Sequence, residues 1–405
     1  MQVNQRYDIL PTMIPVSIYI HIPFCVHRCA YCDFNTYAGM EKWIPAYTEA
    51  LCREIAVVSE AAPEGISVQT IFFGGGTPSY LSASLLNKVL HTVRSHFQVM
   101  EKAEISLEAN PGTVEPHLFE ELREAGFNRL SIGMQSAIPK ELKFLTRIHT
   151  VEDVQNSVIQ ARKAGFQNIN LDLIFGIPGQ TIQTWKNSLE FALSLQPEHV
   201  SLYSLTVEEG TPLNHWVEEG KISMPSDDDA AELYEYSMDA MAEAGYLQYE
   251  ISNWAKQDLN GDWLMCRHNL QYWRYLPYLG FGAGSHGFFE NTRISNVLGI
   301  PEYINRIKSL SSHQFPASAA VDQILILDRQ EQMKEFMMVG LRLTHEGVSL
   351  LEFYHRFGVS LLEVFGKEIE FLLARGLIEW FNENKRLRLT KRGKLLGNQV
   401  FLYFV

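Results

Sequence analysis

A chain of 405 residues with 46% hydrophobic content can bury a large core, and its length suits one big domain plus a smaller one, or two to three domains. The formal net charge of −13 argues against a broad phosphate-binding surface, and so against nucleic acid as the main partner. Met1 to Pro15 carry Asp8 and two prolines without an apolar core segment, and no charge-free apolar run reaches the length of a membrane span, so the sequence reads as neither signal peptide nor transmembrane protein.

From Ser17 to Val207 short β-rich runs alternate with amphipathic helical stretches, the sign of βα units on a parallel sheet. Six strands are predicted, over Ser17–Ile22, Thr70–Phe73, Glu104–Glu108, Arg129–Gly133, Asn168–Phe175 and His199–Thr206. Helical patterns fall at Trp43–Val58, Ser82–Ser95, Glu115–Ala125, Val151–Ala164 and Thr181–Leu195. Six units are too few to close an eight-stranded barrel, so the expected architecture is α/β, an open three-quarter (β/α)6 barrel with active residues at the carboxyl ends of its strands. Ser226 and three following aspartates announce a helix over Asp227–Ala244, expected to close the barrel's edge. Residues 246–312 are rich in aromatics and glycine and read as a loop-like ligand wall or connecting segment. After the Ser309–Ser312 stretch, helices at Arg329–Val339, Leu350–Phe357 and Leu361–Ala374 precede a hairpin made by Leu377–Phe381 and Arg386–Thr390, a winged-helix-like C-terminal unit. The predicted domains are therefore 1–245, 246–312 and 313–405.

Cys25, Cys29 and Cys32 form a C-x3-C-x2-C triplet in the loop after the first strand. Zinc usually takes four ligands and C-x2-C knuckles, and a disulfide framework belongs to small secreted domains. Three thiolates suit a [4Fe–4S] cluster with one open iron, which can bind something other than protein. Such a cluster and unpaired thiols fit the reducing cytoplasm. Gly74-Gly75-Gly76-Thr77-Pro78 follows the second strand, where glycine permits close backbone approach to a ligand or simply a tight turn. Glu108, Gln135 and Asp172 are polar residues on apolar strands, and Arg147 adds a carboxylate-binding fork in a nearby loop. Such residues face either a ligand cavity or an internal hydrogen-bond network.

The triplet in this position resembles that of the radical S-adenosylmethionine superfamily, in which the open iron chelates the amino and carboxylate groups of S-adenosylmethionine. Together with Tyr19-Ile20-His21-Ile22-Pro23-Phe24, Phe73-Gly74-Gly75-Gly76-Thr77-Pro78, Glu108-Ala109-Asn110-Pro111, Ser131-Ile132-Gly133-Met134-Gln135-Ser136 and Asp172-Leu173-Ile174-Phe175-Gly176-Ile177-Pro178-Gly179-Gln180-Thr181, it closely resembles the oxygen-independent coproporphyrinogen III oxidase family. That resemblance implies S-adenosylmethionine contacts at Tyr19, Gly75 and Glu108. It implies a second set at Tyr31, Gly76, Thr77, Gln135, Arg147 and Asp172, where the oxidase holds another S-adenosylmethionine.

One departure bears on function. The oxidase pattern adds a fourth cysteine two residues after the triplet, and here that position is Phe34. His268-Asn269-Leu270-Gln271-Tyr272-Trp273 in turn resembles the H-N-x-x-Y-W signature of the heme chaperone branch of these proteins. An imidazole can ligate heme iron while Tyr272 and Trp273 offer flat apolar surface; the plainer reading is a packed core histidine. Cys266 is an alternative thiolate ligand, Cys52 a small hydrophobe within a helix, and His21 and His27 packing or solvent-facing residues. The resemblance implies a heme chaperone that binds heme and passes it to an acceptor protein, with cluster and S-adenosylmethionine controlling transfer, a peripheral membrane contact being left open. The rival is oxidative decarboxylation of a porphyrinogen; radical modification of RNA is disfavoured by the acidic balance.

Overall fold

The computed structural model describes residues 13–114, 117–309 and 314–405. The expectation for the chain's start, the first residues of the helix predicted from Glu115 and most of the Ser309–Ser312 stretch lie outside the described residues.

Among the described residues twelve strands join one sheet: β1 (Ile14–Ile22), β2 (Ile66–Gly75), β3 (Gln98–Ala109), β4 (Arg129–Gln135), β5 (Ile169–Phe175), β6 (His199–Ser204), β7 (Leu247–Glu250), β8 (Asn253–Ala255), β9 (Tyr278–Phe281), β10 (His286–Phe289), β11 (Thr292–Asn296) and β12 (Val321–Ile326). Their order is β12-β11-β10-β9-β1-β2-β3-β4-β5-β6-β8-β7. The six expected strands, β1 to β6, run parallel in sequence order as the wall of an open α/β barrel. Alternation along β1 shows how the wall is made. Val16, Ile18, Ile20 and Ile22 lie in the hydrophobic core with Leu51, Ile55, Leu86 and Val89 of the surrounding helices, which leaves Ser17, Tyr19 and His21 on the opposite, interior face.

The helices outside this wall are α1 (Ile44–Glu60), α2 (Ala83–His96), α3 (Leu118–Ala125), α4 (Val151–Lys163) and α5 (Ile182–Ser194). Capping boxes at Thr150–Asp153 and Thr181–Thr184 fix where α4 and α5 begin. The helix α6 (Asp227–Glu243) starts at Ser226 as its sequence predicts, but it does not close the barrel's edge. It packs on α5, β5 and β7, and the edge of β6 is instead covered by β8, antiparallel to it, with β7 beyond.

The aromatic-rich segment is likewise not loop-like. It supplies β7 to β11, the short helix α7 (Arg267–Trp273) and α8 (Ile300–Lys308). Its β9 pairs parallel to β1 on the side away from β2, so the parallel wall has a seventh strand. The glycines that suggested a loop are needed for close strand contact: a Cβ at Gly280 would clash with the His286 carbonyl, and one at Gly282 would stand 2.7 Å from the His21 carbonyl.

The large sheet ends at Ile326. A second core then gathers α9 (Arg329–Gly340), α10 (Leu350–Phe357), α11 (Leu361–Ala374) and a small sheet, β13 (Val348–Ser349), β14 (Ile378–Phe381) and β15 (Arg386–Leu389), in the order β13-β15-β14. This is the expected arrangement of three helices and a hairpin. Tyr275 and Phe288 join that core, and Arg293 on β11 pairs with Glu335 on α9 at 2.7 Å, which ties the unit to the barrel.

Candidate cluster and cofactor chamber

The carboxyl ends of β1 to β6 surround a chamber of about 430 Å3. Its lining includes Cys25, Cys29 and Cys32 from the loop after β1, Gly75, Gly76 and Thr77 after β2, Glu108 and Asn110 at β3, Gln135 at β4, Asp172 at β5, and Tyr203 to Thr206 at β6. Tyr31 and Arg147 complete the wall. Every S-adenosylmethionine position expected from sequence is therefore brought together except Tyr19. Asn110, Tyr203, Thr206 and Glu208 also line the chamber and were missed, although their places at the carboxyl ends of β3 and β6 or just past them are where such barrels put functional groups.

The thiols are free, and two of them already have a hydrogen-bond donor. Thr77 Oγ1 donates to Cys25 Sγ, and Arg147 Nη1 donates to Cys29 Sγ, both at 3.5 Å. Hydrogen bonds to cluster sulfurs are among the levers that set a cluster's potential. Among the described residues no three His, Cys, Asp or Glu side chains converge on a point as a single metal ion would require; the thiolates of a cubane each hold a different iron.

The glycine run forms a cradle. Gly75 has φ +110°, and a Cβ there would stand 2.5 Å from His21 Nδ1, while one on Gly76 would meet the Phe24 carbonyl at 2.7 Å. Gly75 N–H donates to Glu108 Oε2 at 3.1 Å. Burial, and then the neighbouring Asp172, push the Glu108 carboxyl up to about 8 despite that bond. A carboxyl so placed gains most from a cation beside it, such as a ligand's ammonium. Donor set, cradle and acid thus fit a cluster with S-adenosylmethionine.

Arg147 and Tyr19 take places that sequence did not foresee, and Asp172 takes both of the places it offered. Arg147 presents no free fork: besides Cys29 it donates to Asn110 Oδ1 and, at 2.9 Å, to the Gly133 carbonyl. Asp172 belongs to both readings, accepting from Ser131 Oγ at 2.9 Å and Asn170 Nδ2 at 2.8 Å while also lining the chamber. Tyr19 lies beneath it, in a smaller cavity of about 150 Å3 that shares Glu108, Ser131, Asp172 and Tyr203 with the chamber. Its hydroxyl donates to His21 Nδ1 at 2.9 Å, since His21 Nε2 gives its proton to the Asn35 carbonyl.

The Radical SAM superfamily pattern matches residues 19–192, and the HemN C-terminal domain pattern matches residues 327–396. Heme chaperone HemW of Bacillus subtilis is 39% identical over 392 residues, which cover 96% of this chain and 99% of that protein. The chain belongs to the heme chaperone HemW family. The Escherichia coli HemW is 33% identical over 96% of this chain and 98% of its own length. A zebrafish relative, Radical S-adenosyl methionine domain-containing protein 1, mitochondrial, is 31% identical over 96% of this chain and 86% of its own. The fold matches that of the coproporphyrinogen III oxidase HemN from Escherichia coli with a TM-score of 0.80 at 22% identity, covering 97% of this chain and 90% of that one.

The segment that resembles the HemW signature is α7, which sits under the smaller cavity rather than on an outer face. His268 is buried and stacks on Phe72 with ring centroids 5.1 Å apart. Its Nδ1 is 2.7 Å from Thr70 Oγ1 and its Nε2 is 2.9 Å from Tyr272 Oη. Thr70 gives its own proton to Ser17 Oγ, so His268 Nδ1 donates to Thr70 and Nε2 accepts from Tyr272. Burial, with Arg129 nearby, holds this imidazole down at about 3 and hence neutral. Glu104 accepts from the backbone N–H of Arg267 and of His268, each at 3.1 Å, fixing the start of α7. Trp273 carries the Arg342 guanidinium over its ring at 5.2 Å. Cys266 is fully buried, and that burial pushes its thiol up to about 12. The flat heme face expected from His268, Tyr272 and Trp273 is thus occupied by the protein's own side chains in this conformation. Cys52 is half-buried on α1 against the core.

Proposed function

We propose that this protein is a heme chaperone. It binds heme and hands it to an acceptor protein, and its chamber holds a [4Fe–4S] cluster on Cys25, Cys29 and Cys32 with S-adenosylmethionine beside Gly75, Gly76, Thr77 and Glu108. When bound, these groups supply an electron donor and a sulfonium that accepts the electron. The chain's own part is to orient them: Thr77 and Arg147 donate to the sulfurs, Glu108 faces a ligand ammonium, and Gly75 leaves it room.

The observation that carries this reading is Phe34. It stands where the oxidase pattern has a fourth cysteine, and its ring is 64% exposed at the edge of the chamber. The family names of the relatives support the same reading. In it, His268 can reach an iron only if Tyr272 releases Nε2, so heme binding there requires α7 to leave its seat. The acidic chain suits a protein acceptor rather than nucleic acid. No helix among the described residues is long and apolar enough to cross a membrane, and the cytoplasm is the compartment that keeps such thiols reduced.

Anaerobic reconstitution followed by heme titration and coproporphyrinogen turnover on the same preparation tests the proposal. Heme should bind with an altered Soret band while coproporphyrinogen persists. Stoichiometric decarboxylation, with heme affinity no tighter than that of an unrelated protein, would replace the chaperone by the oxidase.

A further inference from the structure

A heme that must be given away needs a site an acceptor can reach. Neither residue of the α7 region meets that need, since His268 has both nitrogens bonded within the fold and Cys266 is buried and protonated. The loop that carries the cysteines offers a different set. His27, Arg28 and Phe34 line the mouth of the chamber. Val26 beside them is 45% exposed and Phe34 64%, while Val26, His27 and Arg28 all face solvent. Large apolar side chains left open beside a cavity mark a binding surface more often than scattered ones do.

Arg28 organises this rim. Its Nη2 donates to the Cys32 carbonyl at 3.1 Å and reaches the Phe34 carbonyl at 3.5 Å, so it fixes the backbone that presents the Phe34 ring. Next in the chain, Asn35 Nδ2 donates to the carbonyls of Ala283 and Leu298 at 3.1 and 3.0 Å, which anchors the far side of the same loop. The rim is therefore held in place rather than free to fold inward. It combines an accessible imidazole, an exposed aromatic ring, an aliphatic neighbour and a guanidinium. Those are the groups a metalloporphyrin asks for: a nitrogen for the iron, apolar surface for the macrocycle and a cation for a propionate.

We propose that His27 is the axial ligand of the heme this chain carries, with Phe34 and Val26 against the macrocycle and Arg28 paired with a propionate. The site rests on the chaperone reading and specifies where the cargo sits. A ring nitrogen of His27 would donate its lone pair to the ferric iron and displace a water; no electron moves and no protein bond breaks. The cargo then lies beside the cluster loop, open to an acceptor, without unseating α7.

The test uses the full chain with its cluster reconstituted anaerobically, titrated with ferric heme and followed by Soret absorbance and electron paramagnetic resonance after subtraction of the cluster spectrum. His27→Ala should lose the imidazole-ligated signature and bind about tenfold more weakly, with cluster iron unchanged because no cysteine is touched. Phe34→Ala should weaken binding by a smaller factor and keep the ligand signature. His268→Ala should keep both signature and affinity. A His27→Ala protein with wild-type spectrum and affinity, or a His268→Ala protein that alone loses the signature, overturns this site while leaving the chaperone reading standing. Wild-type protein that holds heme no better than an unrelated protein overturns both.

Discussion

Glu108→Gln is the substitution whose effect the structure fixes most closely. The carboxyl is displaced from its ordinary 4.5 to about 8, first by burial and then by Asp172. Below about pH 4.5 it is protonated in folded and unfolded chains alike. As the pH rises toward 8, the unfolded chain gives up the proton and the folded chain does not, so stability falls through that window. The whole interval corresponds to about 5 kcal/mol at about 1.4 kcal/mol per decade, and water entering the chamber beside Glu108 reduces this to about 2–3 kcal/mol. Gln cannot ionise, and its amide oxygen can still accept from Gly75 N–H. Denaturant unfolding of the cluster-free protein should therefore find Glu108→Gln more stable than wild type by about 2–3 kcal/mol near pH 8, the gap shrinking toward pH 5. A gap that is constant with pH, or a variant less stable at pH 8, would refute the reasoning.

Three other outcomes follow from the chamber and its floor. Replacing Cys25, Cys29 or Cys32 by Ala should abolish the brown colour and the iron, about four per chain in the cubane, whereas Cys52→Ala should keep both; equal iron loss from Cys52→Ala, read by iron analysis, would contradict the assignment. Gly75→Val forces a side chain onto the His21 ring at positive φ and should cost about 2–4 kcal/mol, so an unchanged melting temperature would show that the backbone there can relax. In native, cluster-free protein at mildly alkaline pH, iodoacetamide should label the half-exposed Cys29 and spare Cys266, whose burial keeps it a thiol; mass spectrometry showing Cys266 modified as fast would mean that α7 opens readily.

The barrel was legible because each of β1 to β6 carries a β-rich run and five helices separate them with clear periodicity, the last two opened by capping boxes. The predicted strands start late at β2 and β3, where Gln69 in one and Glu101 and Lys102 in the other interrupt the apolar pattern; the ladder pairs Ser67 with Gln98 and Val68 with Val99, then shifts register before Thr70 meets Glu104. The chamber was legible for the same reason as the strands: Glu108, Gln135 and Asp172 are polar where a wall should be apolar. Tyr203 and Thr206 escaped because an aromatic and a hydroxyl residue at a strand end look ordinary. The segment after Tyr246 misled because its glycines serve close strand packing, a tertiary demand that local sequence does not reveal. His268 is the sharpest case, since the same letters spell a ligand on a surface and a hydrogen-bonded plug in a floor, and only burial separates them.

The parallel pairing of β1 with β9 sets a schedule for making this protein. Ile18 finds its partner on one side in Ile71 but on the other in Leu279. During synthesis, one flank of β1 therefore stays an unpaired strand edge until most of the chain has emerged, with its N–H and C=O groups open to any other extended segment. Such late, long-range closure is slow, and the partly made barrel is the species most prone to misassociate. A fragment ending before β9 would keep that edge for good, so the cysteine loop at the end of β1 is mounted on a strand that is not enclosed on both sides until residues far along the chain arrive.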